Sequence, residues 1–392
     1  MKWSGNVKKS VIEYGAYGDG VHDDFAAVQA ALDSGAEEIY IPQGIYCISD
    51  TLKVHSNTRI TADKTAKIVM KCKTRRQRND FLLSNSDTAG GNKNITIVGG
   101  IWDGNNTAPE NAKPDIFDKN GYSGAVLNFV NVDGLKLQDM VIANSVTYYV
   151  RMAKLRNFEI ENIDFVSDKF GHNQDGLHFG GDVKHGIVRN IRALSYGQTN
   201  DDMVALNADD SIERVENLDL VRDDIEDITI ENIYTESCHS IIRMLSITAA
   251  IRNIRIKNVY GGFRCYAINA DAARYCRTPL FKDEDMPNGV GIIENIEIEN
   301  FRCFPVPNMD SSSGMTGGTT QTALMMETKV DNFIIKNFEQ ITRDDAPKDF
   351  SAMKMRNVAD INVCADGAEY HIKEKSDVLD IGNFTDIVIN KA

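Results

Sequence analysis

The chain has 392 residues, 42% hydrophobic and 26% charged, with a formal net charge of −14 at neutral pH. That is ample apolar material for a continuous core, but no run approaches the roughly 18 apolar residues of a membrane span. The acidic balance argues against nucleic acid as partner, because no long basic stripe exists to neutralise phosphates.

At the amino terminus, Met1-Lys2-Trp3-Ser4-Gly5 carries no apolar signal-peptide core. The compartment therefore stays open: cytoplasmic, or secreted or periplasmic after removal of a signal. The run Tyr14-Gly15-Ala16-Tyr17-Gly18-Asp19-Gly20 leads to Asp23-Asp24, and residues 25–34 have helical periodicity and composition. Asp23 or Asp24 serves as N-cap and Gly35 closes the helix in the left-handed conformation. Residues 39–46 then supply a strand, a turn at Pro42-Gln43-Gly44 and a second strand. Further on, Lys71, Lys73, Arg75, Arg76 and Arg78 form the one basic cluster, which reads as a solvated loop. Seven cysteines, at 47, 72, 238, 265, 276, 303 and 364, include no Cys-x-x-Cys pair. They read as small buried residues rather than a disulfide framework or a zinc site.

From about residue 90 onward one degenerate pattern dominates, Asn-Ile-x-Ile-x-Asn-Ile. Strong copies begin at Asn157, Gly186, Asp227, Asn253, Asn295 and Asn332, and weaker ones at Asn94, Gly134, Asp360 and Asp386. Apolar residues alternate strictly with Glu, Lys, Arg or Thr, the mark of a strand with one buried face. The spacing between copies is too long for a hairpin ladder, and no long amphipathic helix lies between them as a βαβ fold requires. An all-β, right-handed parallel β-helix remains, one domain over 1–392, with a cap and first coil over about 11–46 and coils over about 90–392. The asparagine closing each strand is expected in the left-handed region, with its side chain bonded from coil to coil. The helix near the amino terminus is the lid that such a stack needs.

Stacking brings distant carboxylates together. Asp175 lies on one coil, Asp201-Asp202 on the next and His239 on the following one. Three carboxyls within about one or two strand spacings cannot all stay ionised, so one is pushed up and becomes an acid. Glycoside hydrolysis uses such a set, one carboxyl protonating the leaving oxygen and another activating water or attacking. Calcium binding by the same carboxylates is the rival chemistry.

These residues carry a resemblance. The opening Tyr14-Gly15-Ala16, Gly18-Asp19-Gly20, Asp23-Asp24 and Ile41-Pro42-x-Gly44-x-Tyr46 looks like the start of many pectin-lyase-fold proteins. Asn173-x-Asp175, Asp201-Asp202 and His239 resemble, in order, the motifs of the polygalacturonase family of glycoside hydrolases, the likeness covering about residues 11–275. The resemblance implies an inverting hydrolase needing no cofactor and no metal, with a poly- or oligosaccharide as partner. It implies Asp201 as general acid, Asp175 with Asp202 as holders of the nucleophilic water, and His239 as the group that tunes Asp201. The family's Arg-x-Lys should fall near Ala267-Ile268-Asn269, where neither base occurs, and Cys238 and Ser240 replace the glycines around His239. Arg255-Ile256-Lys257 spells the motif in the wrong register. The substrate is therefore expected to be a glycan other than galacturonan, or one whose carboxylate meets Arg243, Arg264 or Arg274.

Strand alternation adds candidates for sugar contact. With Val150, Leu177, Val204 and Ile242 inward, Tyr149, Arg151, His178, Met203, Asn207 and Arg243 face out. The substrate-binding set is thus Asn173, His178, Arg243, Arg151, Tyr149, Asn207 and Arg264. An acidic insertion over 208–224 is placed as a wall of the cleft or a solvated loop, and a flexible loop over 305–321 as one end of the groove. Two other functions stay open, a polysaccharide lyase or epimerase and a non-catalytic glycan-binding protein of phage-spike type. Oligomeric state is left open by the sequence.

Overall fold

The Asn-Ile repeat becomes architecture through parallel stacking. A computed structural model describes residues 8–71, 77–107, 122–209, 221–274, 281–307, 322–344 and 350–392. In it the strand Ile225–Leu245 lies parallel to Ala250–Asp271, which pairs with Ile292–Pro305, and that with Val330–Gln340. The chain is a parallel β-helix. One representative coil runs through 225–226, a corner at Asp227, 228–231, a corner at Asn232, 233–235, a turn over 236–239, the segment 240–245 and a turn back to Ala250.

Alternation sends one apolar side chain per pair of residues into the barrel of the coil, where equivalent residues stack. Ile160, Val188, Ile230, Ile256, Ile298 and Ile335 form one such column, each fully or almost fully buried. Each contributes about 1.5–3 kcal/mol of burial.

The corners are made by asparagine. Asp139, Asn162, Asn190, Asn232, Asn258, Asn300 and Asn337 all have φ between 54° and 57°, a left-handed conformation that Asn and Asp reach more easily than other side chains. Their amides form the expected ladder, each donating to the residue one coil earlier at 2.7 to 3.1 Å. A second ladder runs from Asp227 through Asn253 and Asn295 to Asn332.

The amino-terminal lid is the helix α1, Phe25–Leu32, which buries Val28, Ala31 and Leu32 over the first coil. It ends two residues earlier than its periodicity suggests, and Gly35 follows with φ +75°. The cap is divided between two acids. Asp23 accepts from the Phe25 N–H at 3.2 Å, while the Asp24 carboxylate turns back to accept from the Tyr17 and Gly18 N–H groups at 2.6 and 3.2 Å. Asp24 thus ties down the Tyr-Gly turn rather than the helix.

Two parts of the coil stack differ from the sequence expectation. Leu52–Val54, Arg59–Ala62, Lys67–Met70 and Leu83–Asn85 are full members of the stack although most of this stretch lacks the Asn-Ile signal. At the other end, the copies at Asp360 and Asp386 form Ile361–Ala365 and Ile387–Lys391, but these run antiparallel. Asp366-Gly367, with φ values of 46° and 84°, makes a two-residue hairpin turn that joins Ile361–Ala365 to Ala368–Ile372. Ile387–Lys391 lies between Ile361–Ala365 and Val330–Gln340, antiparallel to both, and covers the last parallel edge.

Among the described residues no helix is long and apolar enough to cross a membrane. Cys238, Cys265 and Cys303 are buried and Cys47 and Cys364 half-buried, and none of these five is in a disulfide. Cys72, Cys276, Lys73, Arg75, Arg76, most of the acidic insertion and most of the 305–321 loop lie outside the described residues.

Replacing Asn232 by Ala should cost about 1–3 kcal/mol, because it strains a left-handed corner and removes both ladder bonds. Asn232→Gly, which relieves the strain but not the lost bonds, should cost less. Thermal or urea unfolding of the two variants gives the order, and equal losses would show that the backbone is not strained there.

Candidate active site

The turn that leads into the segment 240–245, and its equivalents on earlier coils, gathers the acidic residues. The Asp175 carbonyl accepts from Tyr149 N–H at 2.8 Å and the Asp202 carbonyl from Gly176 N–H at 2.9 Å, so the two aspartates occupy the same corner of successive coils. Ser240 continues that row in register with Asp202. One residue earlier, Gln174, Asp201 and His239 make a parallel row, linked by Asp201 N–H to Gln174 O and His239 N–H to Asp201 O at 3.3 Å each. Gly176 is required by this stacking: a Cβ there would lie 2.6 Å from the Met203 carbonyl.

The side chains divide by exposure. Asp201 and His239 each keep 18% of their side-chain surface, whereas Asp175 and Asp202 are almost fully buried. Asp201 is held on both oxygens, His239 Nδ1 lying 3.3 Å from Oδ1 and Asn173 Nδ2 donating to Oδ2 at 3.3 Å. Asp175 Oδ2 lies 2.5 Å from His178 Nδ1, and the Tyr148 ring packs over that imidazole with centroids 4.2 Å apart. Asp202 Oδ2 faces Arg243 Nη1 at 3.5 Å. Arg243 is itself fixed by Asp271, at 2.7 and 3.2 Å. Two buried oxygens, Asp175 Oδ1 and Asp202 Oδ2, accept no hydrogen bond from the protein.

This division sets the protonation. Burial, and then the charge of Asp201, push Asp202 up to about 7, against the pull of Arg243. Burial likewise raises Asp175, opposed by the His178 hydrogen bond. For His239, burial lowers the pKa, but the Asp201 carboxylate and Cys265 outweigh it and hold the imidazole protonated to about 10.

Several sequence candidates therefore meet and others do not. Asp175, Asp201, Asp202, His239, Asn173, His178 and Arg243 form one connected cluster. Tyr149 and Met203 do not face out: both point into the core, Tyr149 against Phe165 and hydrogen-bonded to Gln198. Alternation fails because the corner turns two consecutive residues inward, as in Tyr149-Val150, Met203-Val204 and Ile241-Ile242. Arg151 keeps the outward parity, in the row of His178 and Arg243, but is buried and donates to Asn128. Asn207 is buried too. Arg264 is a buried tie behind the site, donating to the Gly197 and Ser237 carbonyls and to Asn200 Oδ1. Burial lowers its pKa to about 10.

Arg274 pairs with Asp283, away from the cluster. Arg255 and Lys257 lie in the repeat strand and pair with Glu297 and Glu299, consistent with a chance spelling of the family motif. Sequence reasoning missed Asp271, the anchor of Arg243, and Tyr148, the lid on His178. The signal for Asp271 was register, since it sits opposite Leu245 on the next coil.

Ligand atoms of Asp201, Asp202 and His239 lie within 4.8 Å of one another, close enough for a cation. Calcium takes six to eight oxygen ligands. Here one of the three groups offers an imidazole nitrogen, and only two are carboxylates, so the set suits calcium poorly.

Comparison with known proteins agrees with this architecture. Residues 9–264 match the profile of the family described as rhamnogalacturonase A/epimerase, pectate lyase-like. The pre-neck appendage protein of Bacillus phage phi29 is 38% identical over 97 residues, 25% of this chain and 11% of that protein. The chain thus matches only about a tenth of that relative's length. Among solved structures, a family 82 iota-carrageenase from A. fortis superposes with a TM-score of 0.62 at 14% identity, covering 88% of this chain and 90% of that one. A family 28 exopolygalacturonase from Yersinia enterocolitica gives 0.52 at 14% identity, covering 88% and 77%. At such identities these two show the fold alone.

The shifts at Asp202 and His239 set the pH dependence of stability. The folded chain keeps a proton on Asp202 from about 4 to about 7, and on His239 from about 6.5 to about 10, where the unfolded chain has released it. Folding favours the protonated form at both sites, so stability falls as pH rises through each window. The melting temperature should decline from pH 5 to pH 9, with Asp202→Asn flattening the lower part of that decline and His239→Gln the upper. A flat or rising profile in the wild type contradicts the assignment.

Proposed function

The chain belongs to the rhamnogalacturonase A/epimerase, pectate lyase-like family, and we propose that it is a glycoside hydrolase that cleaves a poly- or oligosaccharide by single displacement with inversion. The observation that carries this reading is the pair of buried oxygens that accept no hydrogen bond from the protein, Asp175 Oδ1 and Asp202 Oδ2, on adjacent coils beside the half-buried Asp201–His239 pair. An inverting enzyme needs a carboxylate base with room for a water and an acid on the opposite side of the scissile bond.

The buried pair supplies the first part. Asp175 and Asp202 take the hydrogens of a water and direct its lone pair at the anomeric carbon, with Arg243 and His178 holding the two carboxylates in place. The His239 imidazolium supplies the proton, which passes by way of Asp201, 3.3 Å away, to the leaving oxygen and leaves His239 neutral. Asn173 keeps Asp201 turned towards the open side. Because Asp202 must be ionised to act as base, kcat/KM should rise as pH passes through about 7.

A second reading is glycan binding without turnover, since part of the chain resembles a phage appendage protein rather than an enzyme. A lyase or epimerase mechanism needs a base, usually Arg or Lys in its deprotonated form. Arg243, beside Asp202, is held by Asp271 and Asp202.

Reducing-end release from a panel of plant, algal and bacterial polysaccharides separates these readings. A hydrolase is expected to lose about 10²–10⁴ in kcat on Asp201→Asn, with the fold intact, and comparable activity on Asp175→Asn or Asp202→Asn. Chelator should leave the rate unchanged. An unsaturated uronate product indicates a lyase, and binding without release indicates the appendage-like role.

A further inference from the structure

On the segment that leads into the site-bearing turn, the outward residues of six successive coils form one row: Asp164, Arg192, Tyr234, Tyr260, Arg302 and Glu339. The row is close to symmetric. At its centre the Tyr234 and Tyr260 rings lie within 12° of parallel, centroids 6.1 Å apart, and remain 38% and 41% exposed. On each side an arginine is tied to an acid beyond it, Arg192 to Asp164 through two bonds of 2.7 Å and Arg302 to Glu339 at 2.6 Å. The Arg302 guanidinium also lies 5.8 Å from the Tyr260 centroid.

Large aromatic side chains exposed side by side are informative in a way that scattered ones are not. A pyranose ring presents a face of C–H groups that packs on an aromatic ring, and a rim of hydroxyls that needs donors and acceptors. The row offers both, the tyrosine rings with their phenol hydroxyls and the flanking guanidinium and carboxylate groups. Since each arginine is neutralised by its own acid, the row suits hydroxyl-rich sugar better than a densely anionic chain.

Position connects the row to the acidic corner. Tyr234 lies on the same strand as His239 and five residues before it, and Tyr260 stands in the same relation to Cys265 on the next coil. On the coil of Arg192, the exposed Leu194 and Tyr196 continue the path towards Asn200 and Asp201. Exposed apolar and aromatic side chains are thus present on the coil between the row and the cluster as well as in the row itself.

We propose that Tyr234 and Tyr260, flanked by Arg192 and Arg302, form an auxiliary platform for a polysaccharide chain whose other end occupies the acidic corner. The second half of that statement rests on the glycan reading of the corner, while the platform itself does not. Long chains are then held at two places and short oligosaccharides at one.

The test uses the full chain carrying Asp201→Asn, so that bound sugar is not turned over. Native gels containing galactan, polygalacturonan or iota-carrageenan measure polymer affinity, and calorimetry with the matching trisaccharides measures occupancy of the corner alone. The double substitution Tyr234→Ala/Tyr260→Ala is expected to weaken retardation by the best polymer about tenfold and to leave trisaccharide binding unchanged. Tyr234→Phe/Tyr260→Phe, which keeps the rings, should retain most of the affinity and guards against an unfolded alanine variant. Unchanged polymer affinity in the alanine variant, or no retardation by any of the three polymers, overturns the platform. Polymer binding that depends on the tyrosines without any trisaccharide binding supports the platform and removes the glycan reading of the corner.

Discussion

Everything in this molecule depends on the left-handed asparagine corner. A strand with one buried face has no intrinsic reason to bend at a fixed place, and a stack of coils that bend at different places cannot keep its register. Asparagine resolves both problems with one side chain. It accepts a backbone conformation that other residues resist, and its amide reaches exactly one coil away, at 2.7 to 3.1 Å along the ladder from Asp139 to Asn337. Register then fixes which isoleucines share a column and which outward residues share a row.

The acidic cluster is a consequence of that register. Asp175, Asp202 and His239 are brought together only because their coils return to the same corner. Burial then gives each group a different character. The two aspartates closed off from solvent are raised, Asp202 to about 7, whereas the pair at the surface, Asp201 with His239, keeps a proton to about 10. A single scaffold has produced a buried carboxylate pair, each with an oxygen that accepts no hydrogen bond from the protein, and a half-buried aspartate–histidine pair a few ångströms away.

Much of this was legible in the sequence because it depends on period and on local conformation. The Asn-Ile copies reported the coil and its corners, and the spacing of Asp175, Asp201-Asp202 and His239 reported a common location. Alternation was a poorer guide at the corner itself, where Tyr149 and Met203 turn inward beside Val150 and Val204. Arg151 and Arg264 were misread for a different reason. Their charge suggested solvent and sugar, but both are buried and bound to neighbouring protein groups, a matter of what covers a position rather than which way it points. The antiparallel ending was signalled in part: Asp366-Gly367 marks the hairpin from Ile361–Ala365 to Ala368–Ile372, whereas the reversal of the repeat-like Ile387–Lys391 depends on long-range pairing.

The corner ladders also have a direction. The chain of side-chain bonds from Asn162 onward begins at Asp139, the one from Asn253 begins at Asp227, and Asn157 likewise donates to Asp133. A carboxylate accepts and cannot donate, so the first asparagine must turn its NH2 towards it, which leaves its oxygen for the next amide. The choice passes from coil to coil, and every amide in the column is oriented by the acid at its head. Each ladder is therefore a polar wire laid along the solenoid, with its sense set by a single residue and its dipoles adding rather than cancelling. Aspartate fits where a ladder starts, since it accepts and cannot donate, and Asp227 does so while its other oxygen faces His185 Nδ1 of the preceding coil at 3.2 Å. The placement of Asp139 and Asp227 is thus a matter of polarity as much as of turn geometry.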